Sequence, residues 1–277
     1  MALQARIKLA AERQTPIDEN DAKQAAHLFR VHGALLLENA LPIGLIDNIR
    51  QYFMDEYAIL DRASVESRYL KVGIERFMFS PHLKPPLMDP AIYAAPRILP
   101  VLHQLLGDDC IIQSVSVVCA YPGAAVQHVH RDHPQLFAEA GGLNAFFPPY
   151  ALNVAIPLID LDEETGTTAV WEGSHRIKSR AEETRYSKPE MEALKGAVLP
   201  WPKRGDAYLV DYRLRHTGTA NTSDQPRPII YIVFSRRWFD DRKNFDMQSP
   251  LLINRNEHER IPNEFKHLFR NARPQDS

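Results

Sequence analysis

Residues 128–134 read His-Val-His-Arg-Asp-His-Pro, HVHRDHP, with His130 and Asp132 two positions apart. On an extended strand, residues i and i+2 point to the same face. Both side chains can then reach one ion while Arg131 points away. Far along the chain stands His216, in Arg215-His216-Thr217-Gly218, and after it Arg227. Two histidines and one carboxylate are the ligand set of a facial triad, which holds Fe(II) by one face and leaves positions open for substrate and O₂. A nearby Arg is what a chelating keto acid needs, because its far carboxylate takes a bidentate cation. The set points to an iron enzyme that uses 2-oxoglutarate. It also implies a fold that brings remote strands together, as a jelly roll does.

A His-x-Asp pair alone is a common surface-loop pattern, so the neighbouring histidines matter. His128 would share a strand face with His130 and Asp132 and reads as a flanking residue. His133 precedes Pro134 and reads as a loop residue. His175, in Trp171-Glu172-Gly173-Ser174-His175-Arg176, rivals His216 as the third ligand. His216 is preferred because Arg227 follows it at the spacing of an antiparallel hairpin, which would place the Arg deeper on the next strand. Arg227 itself, in Gln225-Pro226-Arg227-Pro228, stands at a strand entrance.

Working outward, the chain has 277 residues, net charge -2 and only two cysteines, Cys110 and Cys119. The length suits one large domain. With so few thiols, a disulfide framework or thiolate metal site is not expected, and Cys119 in VSVVCAY reads as core. Any transition metal must use the eleven histidines and the carboxylates. No basic block suggests nucleic acid, and no basic amphipathic stretch suggests a membrane surface. No apolar run resembles a signal peptide or a transmembrane span, so the expected location is the cytoplasm.

The first part reads as helical. Asp18 to Arg30 is a helix opened by Thr15-Pro16 and ended by Gly33, before a short strand Ala34–Leu37. Ile46, Ile49, Phe53, Tyr57 and Leu60 give one apolar stripe over a helix from Ile43 to Leu60. A third helix is expected over Ala91–Leu106, stopped by Gly107. Strands follow at Ile111–Tyr121, Leu152–Leu158, Tyr208–Tyr212 and Ile229–Phe234. The tail after Asp240 is polar, with a short helix near Glu264–Arg270. Helices first and strands later argue for an α+β chain, mainly β in its core, built as a sandwich or barrel.

Four stretches in order resemble the phytanoyl-CoA dioxygenase (PhyH) family of Fe(II)/2-oxoglutarate oxygenases. They are Val129-His130-Arg131-Asp132; Leu152 to Asp160 (LNVAIPLID) with Glu164-Thr165-Gly166; Gly173-Ser174-His175-Arg176; and Gly205-Asp206 with Arg213 to Gly218 (RLRHTG), Asn221 and Arg227. The resemblance covers roughly residues 110–240, and the helical N-terminal part fits it. It implies a double-stranded β-helix (jelly roll, cupin-like) with flanking N-terminal helices. It also implies one domain over 1–277, with a mostly helical flank at 1–108, the jelly-roll core at 109–240 and an extension at 241–277.

Carried over by position, the resemblance gives His130, Asp132 and His216 as iron ligands and Arg227 as the partner of the 2-oxoglutarate C5 carboxylate. Gln127 and Thr168 help hold the co-substrate, with Arg76 as a candidate N-terminal Arg. The cofactors implied are Fe(II), 2-oxoglutarate and O₂. The reaction implied is hydroxylation or desaturation of an unactivated C–H in a small molecule of natural-product or lipid type. Related halogenases replace the carboxylate, so Asp132 argues for oxygenation. Trp171-Glu172-Gly173 departs from the commoner loop, where Pro often precedes Gly.

Phe137, Phe146, Phe147, Tyr150 and Trp238 are candidate pocket residues, with core or lid packing as the alternative. Lys71, Arg236 and Arg237 are candidates for meeting an acidic substrate. The expected partner is a small-molecule substrate, with no nucleic acid or membrane and a homodimer left open. Two other readings share these residues: a cupin-like metalloenzyme needing no keto acid, and a non-catalytic jelly-roll binding module.

Overall fold

A computed structural model of the chain describes residues 3–11, 15–58, 62–133, 136–137, 142, 145–177, 194–241, 244 and 251–276. The N-terminal part holds β1 (Arg6–Lys8), α1 (Glu19–His32), β2 (Ala34–Glu38), α2 (Ile43–Phe53) and α3 (Arg62–Arg68). After these come β3 (Leu70–Gly73), β4 (Arg76–Phe79), β5 (His82–Leu83), α4 (Pro90–Tyr93) and α5 (Leu99–Leu106). The strand-rich part holds β6 (Ile111–Ala120), β7 (Ala151–Pro157), β8 (Thr168–Val170), β9 (Ala207–Asp211), β10 (His216–Gly218) and β11 (Arg227–Ser235). β12 (Leu252–Ile253) and α6 (Arg255–Glu259) close the series, ahead of a 3-10 turn at Asn263–Phe269.

α1 starts where expected because the Asp18 side chain accepts from Asp21 N at 2.9 Å, capping a free amide. It stops at Gly33, which takes the left-handed φ of 80° that a side chain would resist. The helix from Ile43 ends earlier than expected. Regular α-turns stop at Phe53 and a wider π-turn covers Met54–Ala58, while Leu60 lies outside the described residues. The expected helix over Ala91–Leu106 is two helices. Pro96 lacks an amide and its ring clashes with the preceding turn, so the chain breaks between α4 and α5. The break is used: Pro96 O accepts from Ile17 N, and Arg97 donates to the carbonyls of Thr15 and Asn39.

Eight strands form one sheet in the order β1-β2-β9-β7-β11-β6-β4-β3. Adjacent pairs are antiparallel, except β1 with β2. Four of its strands precede residue 108, so the flank expected to be mostly helical also completes both sheet edges. β10 and β8 form a second, small antiparallel sheet. Isolated pairings of Ala124 with Asn221, His130 with His216, and Val170 with Val198 widen it on both sides. β12 pairs with β5 apart from these.

The large sheet has two buried faces. On β6 and β11 the residues Val115, Val117, Cys119, Ile230, Ile232 and Phe234 enter a cluster with Phe29 of α1, Ile46 and Phe53 of α2, and Leu102 and Leu105 of α5. Each such side chain contributes roughly 1.5–3 kcal/mol on burial. The alternate residues Ser114, Ser116, Val118, Arg227, Ile229, Tyr231 and Val233 face a cavity of about 300 Å³. His216, Gly218 and Thr168 of the small sheet line the same cavity. Among the described residues, no helix is long and apolar enough to cross a membrane.

Candidate active site

The two histidines are brought together by backbone pairing. His130 N donates to His216 O at 3.0 Å and His216 N donates back to His130 O at 2.9 Å. This reciprocal pair sets the residues opposite each other with side chains on one face, and their ring centroids lie 4.3 Å apart. Asp132 lies one two-residue step further and is tied by Asp132 N to Tyr212 O at 3.1 Å.

Each ring uses its Nδ1 on the carbonyl two residues back: His130 on His128 O and His216 on Leu214 O, both at 3.0 Å. That bond fixes the Nδ1–H tautomer and turns the Nε2 lone pair inward. Asp132 Oδ1 lies 3.5 Å from His216 Nε2 and 4.0 Å from His130 Nε2, and all three ligand atoms fall within 4.8 Å of one another. Burial, with His216 adding to it, pushes the His130 pKa down to about 3, so the ring is neutral and able to bind a metal. Two neutral imidazoles and a carboxylate converging on one point fit a divalent ion that accepts N and O donors.

The other histidines are used elsewhere. His175 is buried, its Nε2 meets Arg30 O at 3.1 Å, and its ring packs over Gly33. It holds the 173–176 loop against the end of α1. His133 meets Tyr150 OH at 3.4 Å, and His128 flanks His130 with ring centroids 5.0 Å apart. Arg131 turns away, as expected, and donates to Ser174 O and Arg213 O.

Arg227 is 3% exposed and donates to Thr165 O at 2.8 Å and Thr219 O at 3.2 Å. Beside it lies Arg76, 1% exposed, with Nη2 on Thr219 O at 2.8 Å and Ala125 O at 3.0 Å. Both sit beside Ala120, Arg76 from β4 and Arg227 from β11. Burial lowers the pKa of Arg227 to about 10. Burial, reinforced by Arg227, lowers that of Arg76 to about 9. Among the described residues no carboxylate pairs with either, and each keeps a buried Nε with no partner. Two buried cations sharing one carbonyl, in the cavity that holds the triad, fit the far carboxylate of a keto acid.

Arg76 can approach because Gly218 has no side chain. A Cβ built there would lie 2.8 Å from Arg76 Cζ. Gly166 does the same for Arg227: it takes φ 78°, and a Cβ there would collide with the Arg227 guanidinium. Gln127 Oε1 accepts from Arg76 Nη1 at 3.1 Å and from Gly218 N at 3.2 Å, while its Nε2 donates to Val72 O at 2.7 Å. It therefore orients Arg76 as it lines the cavity. Thr168 Oγ1 lies 3.0 Å from Tyr231 OH, on the cavity wall.

Three expectations are corrected. β10 and β11 are not a hairpin: they lie in different sheets, and the link between them crosses from one layer to the other. Arg227 still reaches the cavity, from the facing wall. Phe137, Phe146, Phe147, Tyr150 and Trp238 do not line the cavity. Tyr150 is buried against Phe239, while Phe146 and Trp238 stand in solvent. Arg236 spends its guanidinium on Pro149 O and Leu105 O, and neither it, Lys71 nor Arg237 lines the cavity.

Sequence reading passed over Asn153, Gly218 and Tyr231. Asn153 is the one amide in the wholly buried strand ALNVAIP, and Gly218 shares the His216 face at i+2. Both were visible signals.

The family profile of phytanoyl-CoA dioxygenase (PhyH) matches residues 29–229. The chain is 27% identical over 157 residues to the protein named Dioxygenase af480 of Aspergillus fumigatus, covering 56% of this chain and 47% of that one. It thus spans about half the length of that curated relative. Among solved structures it is similar to the non-heme alpha-ketoglutarate dependent epimerase SnoN from nogalamycin biosynthesis, with TM-score 0.59 and 17% identity over 79% of this chain and 82% of that one. The same epimerase in complex with Fe3+, alpha-ketoglutarate and nogalamycin RO gives TM-score 0.58 and 16% identity, over 79% and 85% of the two chains. At these identities the likeness is one of fold, the double-stranded β-helix. The profile covers most of the chain, including the strands that carry the triad and the buried arginines: the chain belongs to the phytanoyl-CoA dioxygenase family.

Proposed function

We propose that this protein is an Fe(II)- and 2-oxoglutarate-dependent oxygenase that hydroxylates or desaturates an unactivated C–H of a small molecule. The observation that carries the reading is the pair of buried arginines without a carboxylate, in one cavity with the His130, Asp132 and His216 donors. His130, Asp132 and His216 would hold the iron, and Arg227 and Arg76 would hold the co-substrate. When bound, iron and keto acid together supply the oxidising chemistry from O₂.

The chain's own residues do the positioning. The carbonyls of Thr165 and Thr219 fix Arg227, and Gln127 fixes Arg76. Thr168, held by Tyr231 on the cavity wall, would help to position the co-substrate. We take the chain to act as one unit, a reading supported by strands from either side of residue 108 sharing one sheet.

The rest of the described cavity wall, including Val72, Met78, Ser114, Ser116 and Val118, holds no Asp, Glu, Lys or Arg. We take the reacting part of the substrate to be uncharged, with small hydroxyl contacts and an apolar body. A screen of succinate release over matched neutral and carboxylated compounds tests this.

The main test is anaerobic titration with Fe(II) and 2-oxoglutarate, followed by the visible charge-transfer band of the chelate. The band should form in the native protein and in His175→Ala, weaken in Arg227→Met and vanish in His216→Ala. Iron binding with no band at any keto-acid concentration would instead support a metalloenzyme that uses no keto acid.

A further inference from the structure

Asp132 offers its Oδ1 to the two histidines, and its other oxygen is taken. Asn153 Nδ2 donates to Asp132 Oδ2 at 2.7 Å. The carboxylate only accepts, so the amide must present its NH₂ here. Among the described residues this is the one hydrogen bond the Asn153 side chain makes.

Its immediate neighbours in the sheet are apolar. Asn153 is 8% exposed on β7, and its strand neighbours Leu152 and Val154 pack on the helix side. Its cross-strand neighbours are Val233 on β11 and Val210 on β9. A buried amide without a partner costs about 1–3 kcal/mol. This amide stands on the large sheet, and its bond reaches Asp132, two residues beyond the His130 that pairs with His216 of the small sheet. It is a direct polar tie between the large sheet and a candidate metal ligand.

We infer that Asn153 is a positioning residue that holds Asp132 to one metal-facing oxygen. The inference rests on the metal site proposed above. With Oδ2 held by Asn153, Oδ1 is the oxygen turned toward His130 and His216 and is the one that would be offered to a metal. Losing the tie frees the carboxylate to rotate and weakens the preformed site. Outer hydrogen bonds of this kind are worth roughly 10–100-fold in metal affinity.

The test is Mn(II) binding to metal-free protein, read by electron paramagnetic resonance, in native protein, Asn153→Ser, Asn153→Leu and His216→Ala. Melting of each metal-free protein is measured alongside. The expected result is that native protein binds Mn(II), His216→Ala does not, and both Asn153 variants bind about 10–100-fold more weakly while melting like the native protein. Native affinity in the Asn153 variants overturns the inference and leaves the metal site standing. A loss of affinity that follows a matching loss of metal-free stability also overturns it, since the role would then be packing. Failure of the native protein to bind Mn(II) removes the metal site and this inference with it.

Discussion

Replacing Gly218 with Ala sets a methyl group where Arg76 now lies. The added Cβ would stand 2.6 Å from Gln127 Oε1 and 2.8 Å from Arg76 Cζ, where carbon contacts prefer about 3.5–4.0 Å. Gly218 sits on a regular strand without a left-handed φ, so the backbone is unstrained and the damage falls on the guanidinium. Arg76 must swing out and give up its bonds to Gln127, Ala125 and Thr219. Overpacking of this sort costs about 1–3 kcal/mol of stability. The larger effect is on 2-oxoglutarate. Losing one charge-assisted bond of about 1.5–3 kcal/mol, at about 1.4 kcal/mol per tenfold, weakens binding roughly 10–150-fold.

The assay is 2-oxoglutarate titration of Mn(II)-loaded protein by calorimetry, with Mn(II) affinity measured separately. Gly218→Ala should lose keto-acid affinity while Mn(II) affinity stays near native, because the His216 and His130 backbone pairing is untouched. Arg76→Met should show a similar loss. The double variant should be no worse than Arg76→Met alone, since the methyl acts through Arg76. Native affinity in Gly218→Ala, or losses that simply add, would refute the reasoning.

Other expectations follow from burial. Arg213 pairs with Asp211 through two bonds, at 2.9 and 2.7 Å, with both side chains buried; Arg213→Met should cost about 3–5 kcal/mol in chemical denaturation, and adding Asp211→Asn should restore much of it. Arg204, about one-third exposed and paired with Asp47 and Asp160, should cost no more than about 1 kcal/mol on mutation to Ala. Burial lowers the pKa values of His103, His130 and His175, so the unfolded chain takes up protons on these groups first as pH falls. Metal-free stability should therefore be full above about pH 6.5 and fall below it, by up to about 1.4 kcal/mol per pH unit for each histidine. Denaturation curves that superpose at pH 7 and pH 5.5 would contradict this. The Cys110 and Cys119 thiols are buried and pushed up to about 12, so a thiol reagent at pH 8 should label neither until denaturant is added; prompt labelling of the native protein would be the contrary result.

Much of the local structure could be read from residue order. α1 falls between Asp18 and Gly33 because both caps act within one turn of the chain. The long strands lie where β-branched runs meet Gly, Pro and Asp. The two-residue step from His130 to Asp132 kept its meaning although the segment pairs only through a few backbone bonds. Of what failed, one part was local and the rest needed longer-range information. Pro96 broke a helix whose apolar pattern ran on past it. The aromatic insert around Phe146 and Phe147 packs outside the cavity, because aromatic composition says nothing about which way a loop turns. On β6 the apolar run concealed alternation: Ser114, Ser116 and Val118 face the cavity, and Val115, Val117 and Cys119 face the helices.

Residue type and short spacing by themselves supplied candidates: His130 and Asp132 at a two-residue step, His216 with His175 as its rival, and Arg227 at a strand entrance, while Arg76 came forward only through the family resemblance. Only the tertiary structure decided which of them meet. His130 and His216 face each other through a two-residue backbone pairing that no local pattern encodes. Arg227 reaches the cavity from the sheet opposite His216, not from a hairpin beside it. Arg76 arrives from the N-terminal part and fits because Gly218 lacks a side chain, and Asn153 reaches Asp132 from the large sheet. These contacts depend on strand register between remote segments, and register is fixed by the packing of whole faces, not by any one stretch of chain.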